Sequence, residues 1–391
     1  MTIEKEMKSI LEKSIVKLEK WIEDHNYKGY DPADGLTSFL RPLTFGNLFL
    51  DRLLQQIVWR SPINIRPLVG VKPLDSCIGR GYMAWGYLTM MKITGNVSYK
   101  EKAVSCLEWL MDNKAPGFVH YSWGKMFDFG SRGGRQGKYE PITVWTSLIG
   151  QAFLDGYEII GNEKYLHVAE SICSWILERP RNKTHSGSCI NYTAFGEGNC
   201  TIHNQSMLAA AMLARTAKFN GNSEYIEIAK DAITYTCTRQ LPDGSWLYGE
   251  EPKYRWIDNF HTGYNLDALK CYIENTGDET YKDNLKKGFI YYRRHFFEST
   301  GRPKYYHNRT YPVDIQCASQ AIHTLSNFSG YDVSSLEMAI KVAKWTIENM
   351  QDRTGHFYFM RYPFVKLKVP MIHWGQATSY KALANLLSML C

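Results

Sequence analysis

The sequence predicts an all-α chain folded as an (α/α)6 toroid, with six inner and six outer helices around a central cavity. Two observations carry this expectation. One short element recurs: GNVSY at 95–99, GNEKY at 161–165, GNSEY at 221–225 and GDETY at 277–281, with a weaker relative, GYDVSS, from Gly330. Such a period marks stacked units rather than unrelated domains. The segments flanking each element also differ in kind, amphipathic after it and apolar nearly throughout before it.

Each element reads as a helix-turn-helix corner, because Gly can take the left-handed conformation that ends one helix and the next Asn or Asp can cap another. After the second corner, Tyr165, Val168, Ala169, Ile172, Trp175 and Ile176 recur at helical spacing, while Glu163, Lys164, Glu170 and Ser174 fall on the other face. That pattern describes an outer helix with one wet side. Before the third corner, IHNQSMLAAAMLARTAKF (202–219) has few charges and must be covered nearly all round. By these criteria inner helices start near residues 75, 141, 201, 257, 312 and 373, and outer helices near 4, 99, 163, 223, 279 and 333. Residues 1–391 are expected to form a single toroid domain, with 26–74 as a connecting or capping segment and an extra helix or cap within 38–60.

Composition narrows the partners. With 391 residues and 44% hydrophobic content the chain can bury a large core. A net charge of +7 without a basic stripe or finger spacing argues against nucleic acid. The nine cysteines contain no CxxC and are expected to be reduced and buried, in a cytoplasmic protein. The opening MTIEKEMKSILEKSIVKLEK is charged and amphipathic, unlike a signal peptide. No run reaches the roughly 18 apolar residues that suggest a membrane span.

Successive inner helices of a toroid run parallel, so the loops feeding their N-termini line one cavity. Those loops carry Trp123, Asp128, Arg132, Arg135 and Glu140 before the second inner helix, then Asn191, Tyr192 and His203 before the third. Trp256 precedes the fourth, Tyr305, Tyr306, His307 and Tyr311 the fifth, and Arg361, His373 and Trp374 the sixth. Aromatic rings stack on sugar faces while the polar groups bond hydroxyls and carboxylates, so an oligo- or polysaccharide substrate, acidic in character, is expected. The alternative for each residue is a core ring or a helix cap.

The sharpest cluster is WIDNFHTGY (256–264). Asp258 reads as the helix cap. Asn259, His261 and Tyr264 supply an amide to neutralise a carboxylate, a base for the neighbouring proton and a phenol for the leaving oxygen, the groups needed by a uronate lyase or C5-epimerase. A glycoside hydrolase would instead need two carboxylates, for which Asp128, Glu140, Asp258 and Asp314 are candidates. Asp314 follows Pro312, where a helix is expected to begin, which invites the capping reading. The SRGGRQGK stretch (131–138) could hold a carboxylate or phosphate through Arg forks and backbone N–H groups. No cofactor is implied, and no Cys/His spacing suggests a metal.

RQLPDGSW (239–246), with Gln240, Gly244 and Trp246, resembles the Gln-Trp repeat of squalene and hopene cyclases; a degraded copy runs from Gln351 through Gly355 to Phe357. The resemblance implies a structural tie between an outer helix and the next loop. The acidic DxDD motif of those cyclases is missing, which places a terpenoid-type cyclase behind the other readings. NFHTGYNLDAL resembles the histidine segment of protein prenyltransferase β-subunits, without their DxC motif. Over residues 75–391, WIDNFHTGY, YPVDIQ and IHWGQATSYKALANLL are similar to toroidal proteins of polysaccharide biosynthesis in the same superfamily and to the helical domain of glucuronyl C5-epimerases. That resemblance implies an enzyme acting on a glycan, with a non-catalytic glycan-binding protein as the remaining alternative.

Overall fold

The computed structural model describes residues 3–193 and 201–391. It contains helices α1 (Ile3–Asp24), α2 (Leu48–Arg60), α3 (Cys77–Thr94), α4 (Val97–Asp112), α5 (Thr143–Ile160), α6 (Glu163–Leu177), α7 (His203–Asn220), α8 (Ser223–Cys237), α9 (Asn259–Thr276), α10 (Lys282–His295), α11 (Ile315–Asn327), α12 (Val333–Met350) and α13 (Thr378–Ser388). The inner ring is α3, α5, α7, α9, α11 and α13: each packs on the next, and α13 returns to α3. Outside it lie α4, α6, α8, α10, α12 and α1. The all-α toroid is thus the architecture found. Among the described residues, seven short strands decorate the loops: a β1–β2 hairpin (Phe129–Ser131, Gly134–Gln136), a β3–β4 hairpin (Arg181–Thr184, Gly187–Ile190) and an antiparallel β5–β6–β7 sheet (Val313–Asp314, Met360–Arg361, Lys366–Leu367).

The corners follow from their sequence. Gly95, Gly161, Gly221 and Gly277 all have positive φ and end inner helices in the left-handed conformation. Asn96, Asn162 and Asn222 then cap α4, α6 and α8 by accepting from backbone N–H groups two residues on. Two copies depart from the expectation. Asp278 accepts from Thr280 N and Tyr272 Oη, and α10 starts only at Lys282. In the weak copy, Asp332 caps α12 without a left-handed glycine before it.

The Gln-Trp element does what its resemblance implies. Gln240 Nε2 donates to Gly244 O at 2.8 Å and to Asn284 O, on α10, at 3.0 Å, and the buried Trp246 donates to Thr236 O. A Cβ on Gly244 would sit 2.5 Å from Lys287 O of α10, so only glycine permits this approach. The degraded copy repeats the geometry at the seam. Gln351 Nε2 donates to Gly355 O and to Ser14 O of α1, and a Cβ on Gly355 would meet Lys17 O at 2.2 Å. The last outer helix is thereby stitched to the first.

One helix start differs from the sequence reading. Pro312 does not open α11; it precedes β5, and the helix starts at Ile315 with Asp314 as its cap. Asp314 accepts from Gln316 N at 2.8 Å and Trp374 Nε1 at 3.1 Å. Burial pushes its carboxyl up to about 7, against these hydrogen bonds. The cysteines are free and buried apart from the partly buried Cys271 and exposed Cys391; Cys200 lies outside the described residues.

Gly221 has open space around its Cβ position, so Gly221→Ala should cost only the left-handed backbone penalty of about 1–2 kcal/mol. Gly355→Ala should cost more, since it also collides with α1; urea denaturation of both variants checks the order. Asp314 binds a proton more tightly when folded than unfolded, so its contribution to stability falls as pH rises from the ordinary carboxylate value towards about 7. Asp314→Asn keeps an acceptor for Trp374 and removes that penalty. Its melting temperature relative to the unsubstituted protein should therefore be higher at pH 8 than at pH 5.

Candidate active site

The inner-helix N-termini meet at one end of the ring around an open cavity of about 1430 Å³. Of the residues expected there, Arg132, Arg135, Glu140, Asn191, Tyr192, Trp256, His261, Tyr264, Tyr305, Tyr306, His373 and Trp374 are on its wall. Arg132 and Arg135 arrive on β1–β2, which is held by Gly130 N donating to Gln55 of α2 and by the Arg135–Asp51 ion pair.

The WIDNFHTGY stretch builds one unit of the wall. Asp258 is fully buried; its Oδ1 caps α9 by accepting from His261 N at 3.0 Å. Its Oδ2 lies 2.7 Å from His261 Nδ1 and accepts from Trp256 Nε1 at 2.7 Å. Cap and orienting carboxylate are therefore the same group. A proton on Nδ1 satisfies Asp258 and leaves Nε2 as the basic nitrogen of a cavity-lining imidazole. Tyr248 stacks on Trp256 at 4.5 Å and lies 4.3 Å from the His261 ring, and the Arg132 guanidinium is 5.6 Å from Trp256.

A second imidazole belongs to His373. Residues 372–377 form a π-helical turn that leads into α13, a local widening often found at functional sites, and both His373 and Trp374 lie in it. His373 Nδ1 is 3.1 Å from Asp31 Oδ2, within ion-pair range but off the axis of a hydrogen bond. Burial drives the His373 pKa down to about 4, Lys125 adding to the fall and Asp31 opposing it, so the ring is neutral at pH 7. Burial would raise Asp31, yet Lys125 at 3.3 Å and His373 hold it below the ordinary carboxylate value. Asp31 is positioned by the buried Asp34–Arg66 pair at 2.8 Å, whose guanidinium also donates to Asp31 O and Val58 O.

Several expected residues do not reach the wall. Asn259 is fully buried, donating to Lys304 O and accepting from Tyr292 Oη, so it cannot neutralise a substrate acid. Tyr264 reaches the wall, but its hydroxyl lies between Gln316 Nε2 at 2.7 Å and Tyr82 Oη at 3.1 Å, and burial pushes its pKa well above the ordinary value. Asp314 is sealed beneath Trp374. Trp123 is a core ring bonded to Leu110 O, and His203 is buried between Glu250 and Thr236. Asp128 pairs with Arg41, His307 with Tyr291, Tyr311 with Arg302, and Arg361 with Asn349. These partners hold the four side chains away from the cavity wall.

The sequence reading missed the contribution of the 26–74 segment: Asp31, Arg52, Gln55, Gln56, Trp59 and Arg60 all line the cavity. Among the described residues, six cations are on the wall against the carboxylates of Asp31, Glu140 and Glu251. Lys125, Arg135 and Lys253 have carboxylate partners; among the described residues Arg52, Arg60 and Arg132 have none. The wall residues Gln136, Asn204 and Gln316 each leave one buried polar atom unpaired, a cost of about 1–3 kcal/mol that a ligand hydroxyl or water would relieve. Among the described residues no three His, Cys, Asp or Glu side chains converge as a metal cage would require.

No protein-family model matches the chain, and no curated protein matches it. Solved structures do. A GH76 alpha-mannanase of Bacteroides thetaiotaomicron superposes with a TM-score of 0.62 at 10% identity, covering 80% of this chain and 85% of its own. A D-mannose isomerase gives 0.61 at 12% identity over 80% and 86% of the two chains. Cellobiose 2-epimerase of Spirochaeta thermophila gives 0.60 at 14% over 81% and 85%. At such identities the likeness is one of fold, and it places this chain among the (α/α)6 toroids.

Proposed function

We propose that the protein is a carbohydrate-active enzyme that epimerises a uronate-containing oligo- or polysaccharide by proton abstraction. The observation that carries this reading is the Asp258–His261 unit, a buried carboxylate fixing a cavity-lining imidazole at 2.7 Å. His261 Nε2 would take the proton from the carbon beside the substrate carboxylate, and Asp258 would stabilise the imidazolium that forms. Arg132, linked to His261 through Trp256 and Asp258, is placed to hold that carboxylate. His373, neutral on the same wall, would accept a proton rather than give one, so water entering the open cavity returns the proton to the opposite face of the carbon. Phe260 and Trp374, 5.4 Å apart, connect the two histidine-bearing segments.

Other chemistries find less support. Elimination needs an acid at the leaving oxygen, and the Tyr264 hydroxyl is already engaged. Hydrolysis needs two carboxylates across one bond, yet among the described wall residues Asp31 and Glu251 are in ion pairs, which leaves Glu140 as the one carboxylate outside an ion pair. Isomerases and epimerases of sugars share this architecture, as do mannanases.

Incubation with uronate oligosaccharides in deuterated water should place deuterium at C5, read by NMR. His261→Ala should lower the exchange rate by about 10²–10⁴-fold, while the buried Asp258, short of one partner, lowers stability by only about 1–3 kcal/mol. Release of reducing ends with no deuterium would replace this reading with hydrolysis. Asp258→Asn keeps an oxygen to cap α9 but no longer selects the tautomer, so it should cost about 10²-fold or more in kcat; wild-type turnover by this variant would remove Asp258 from the mechanism.

A further inference from the structure

The segment 39–68 exposes Phe39, Leu43, Phe45, Phe49, Leu53, Ile57, Ile63 and Leu68, with Phe45 86% exposed. Phe49, Leu53 and Ile57 recur every four residues and form one face of α2. The flanking turns are tied to that helix and to each other: Thr44 Oγ1 donates to Asp51, and Phe39 N and Ser38 Oγ donate to Val69 O. Together these eight side chains expose on the order of 900 Å², beyond the roughly 300–600 Å² of the largest apolar patch on an ordinary soluble monomer. The charges decide what covers it. Between residues 39 and 73 every exposed or half-exposed charge is basic, Arg41, Arg52, Arg60 and Lys72, and the single acid, Asp51, is buried. Arg41 is paired with Asp128, but a second copy meeting this surface across a two-fold axis would bring Arg52, Arg60 and Lys72 against one another, and among the described residues none of these three has a carboxylate partner. An anionic bilayer offers both a hydrocarbon layer for the rings and negative headgroups for the arginines.

We infer that the outer face of α2 and its flanking turns form a docking surface for an anionic membrane. A second apolar projection stands beside it: Trp59 lies 6.4 Å from Phe359, where the β6–β7 hairpin begins, and that hairpin carries a fully exposed Phe364 followed by Lys366 and Lys368. The same α2 lines the cavity through Arg52, Gln56 and Arg60, so docking brings the cavity mouth to the lipid surface. This inference does not depend on the reaction proposed above.

The test is flotation of the full chain with vesicles of phosphatidylcholine alone or mixed with phosphatidylglycerol. The protein should float only with the mixed vesicles, and high salt should release it. A variant carrying Phe49→Ser, Leu53→Ser and Ile57→Ser should float roughly tenfold less or worse while keeping its melting temperature. Phe364→Ser, remote from α2 in sequence, gives an independent reading and should weaken flotation further. Absence of wild-type flotation, or undiminished flotation of the triple variant, overturns the inference. So does a wild-type dimer in light scattering that the triple variant abolishes, which would make the face a contact between copies.

Discussion

Five times the chain must turn from an inner helix back to an outer one, and at four of these corners the left-handed glycine that ends the inner helix makes the reversal possible. At Gly95, Gly161, Gly221 and Gly277 the backbone turns where a side chain would be strained, and at three of these the next asparagine starts an outer helix at once. Short corners at one end leave all the spare chain for the other. The cavity, its long loops and its concentration of polar groups follow from this asymmetry rather than from any single binding motif.

Much of the fold was legible because it rests on local rules. Corner residues and helical periodicity are properties of adjacent positions, and every inner and outer helix begins within about five residues of where those rules put it, α13 lying furthest off because the 372–377 turn precedes it. The site was legible only in part. Loops could be assigned to the cavity end, but the direction of a side chain depends on tertiary partners. Asn259 and His261 differ by two positions, yet one is held between Tyr292 and Lys304 while the other lines the cavity. Asp31 was overlooked because its segment reads as a connector; its place at the wall depends on a buried arginine 35 residues away in sequence.

Asp258 shows how structural and chemical roles coincide. Treating it as a cap accounts for Oδ1, and treating it as an orienting group accounts for Oδ2. Asp314 is the contrasting case: it also caps an inner helix, but its remaining oxygen meets only the indole N–H of Trp374. The difference lies three residues on, where α9 has a histidine and α11 has Cys317.

The seam between α12 and α1 uses the same glutamine and glycine contacts as the interior of the ring, but it joins Ser14 to Gln351, 337 positions apart. Interior pairs can form while the chain is still being made. The seam cannot form before α12 and the Gln351–Gly355 turn are present, because it joins them back to α1. Loop-closure entropy for nearly the whole chain is therefore concentrated in one late step, in which His373 joins the wall that already holds His261.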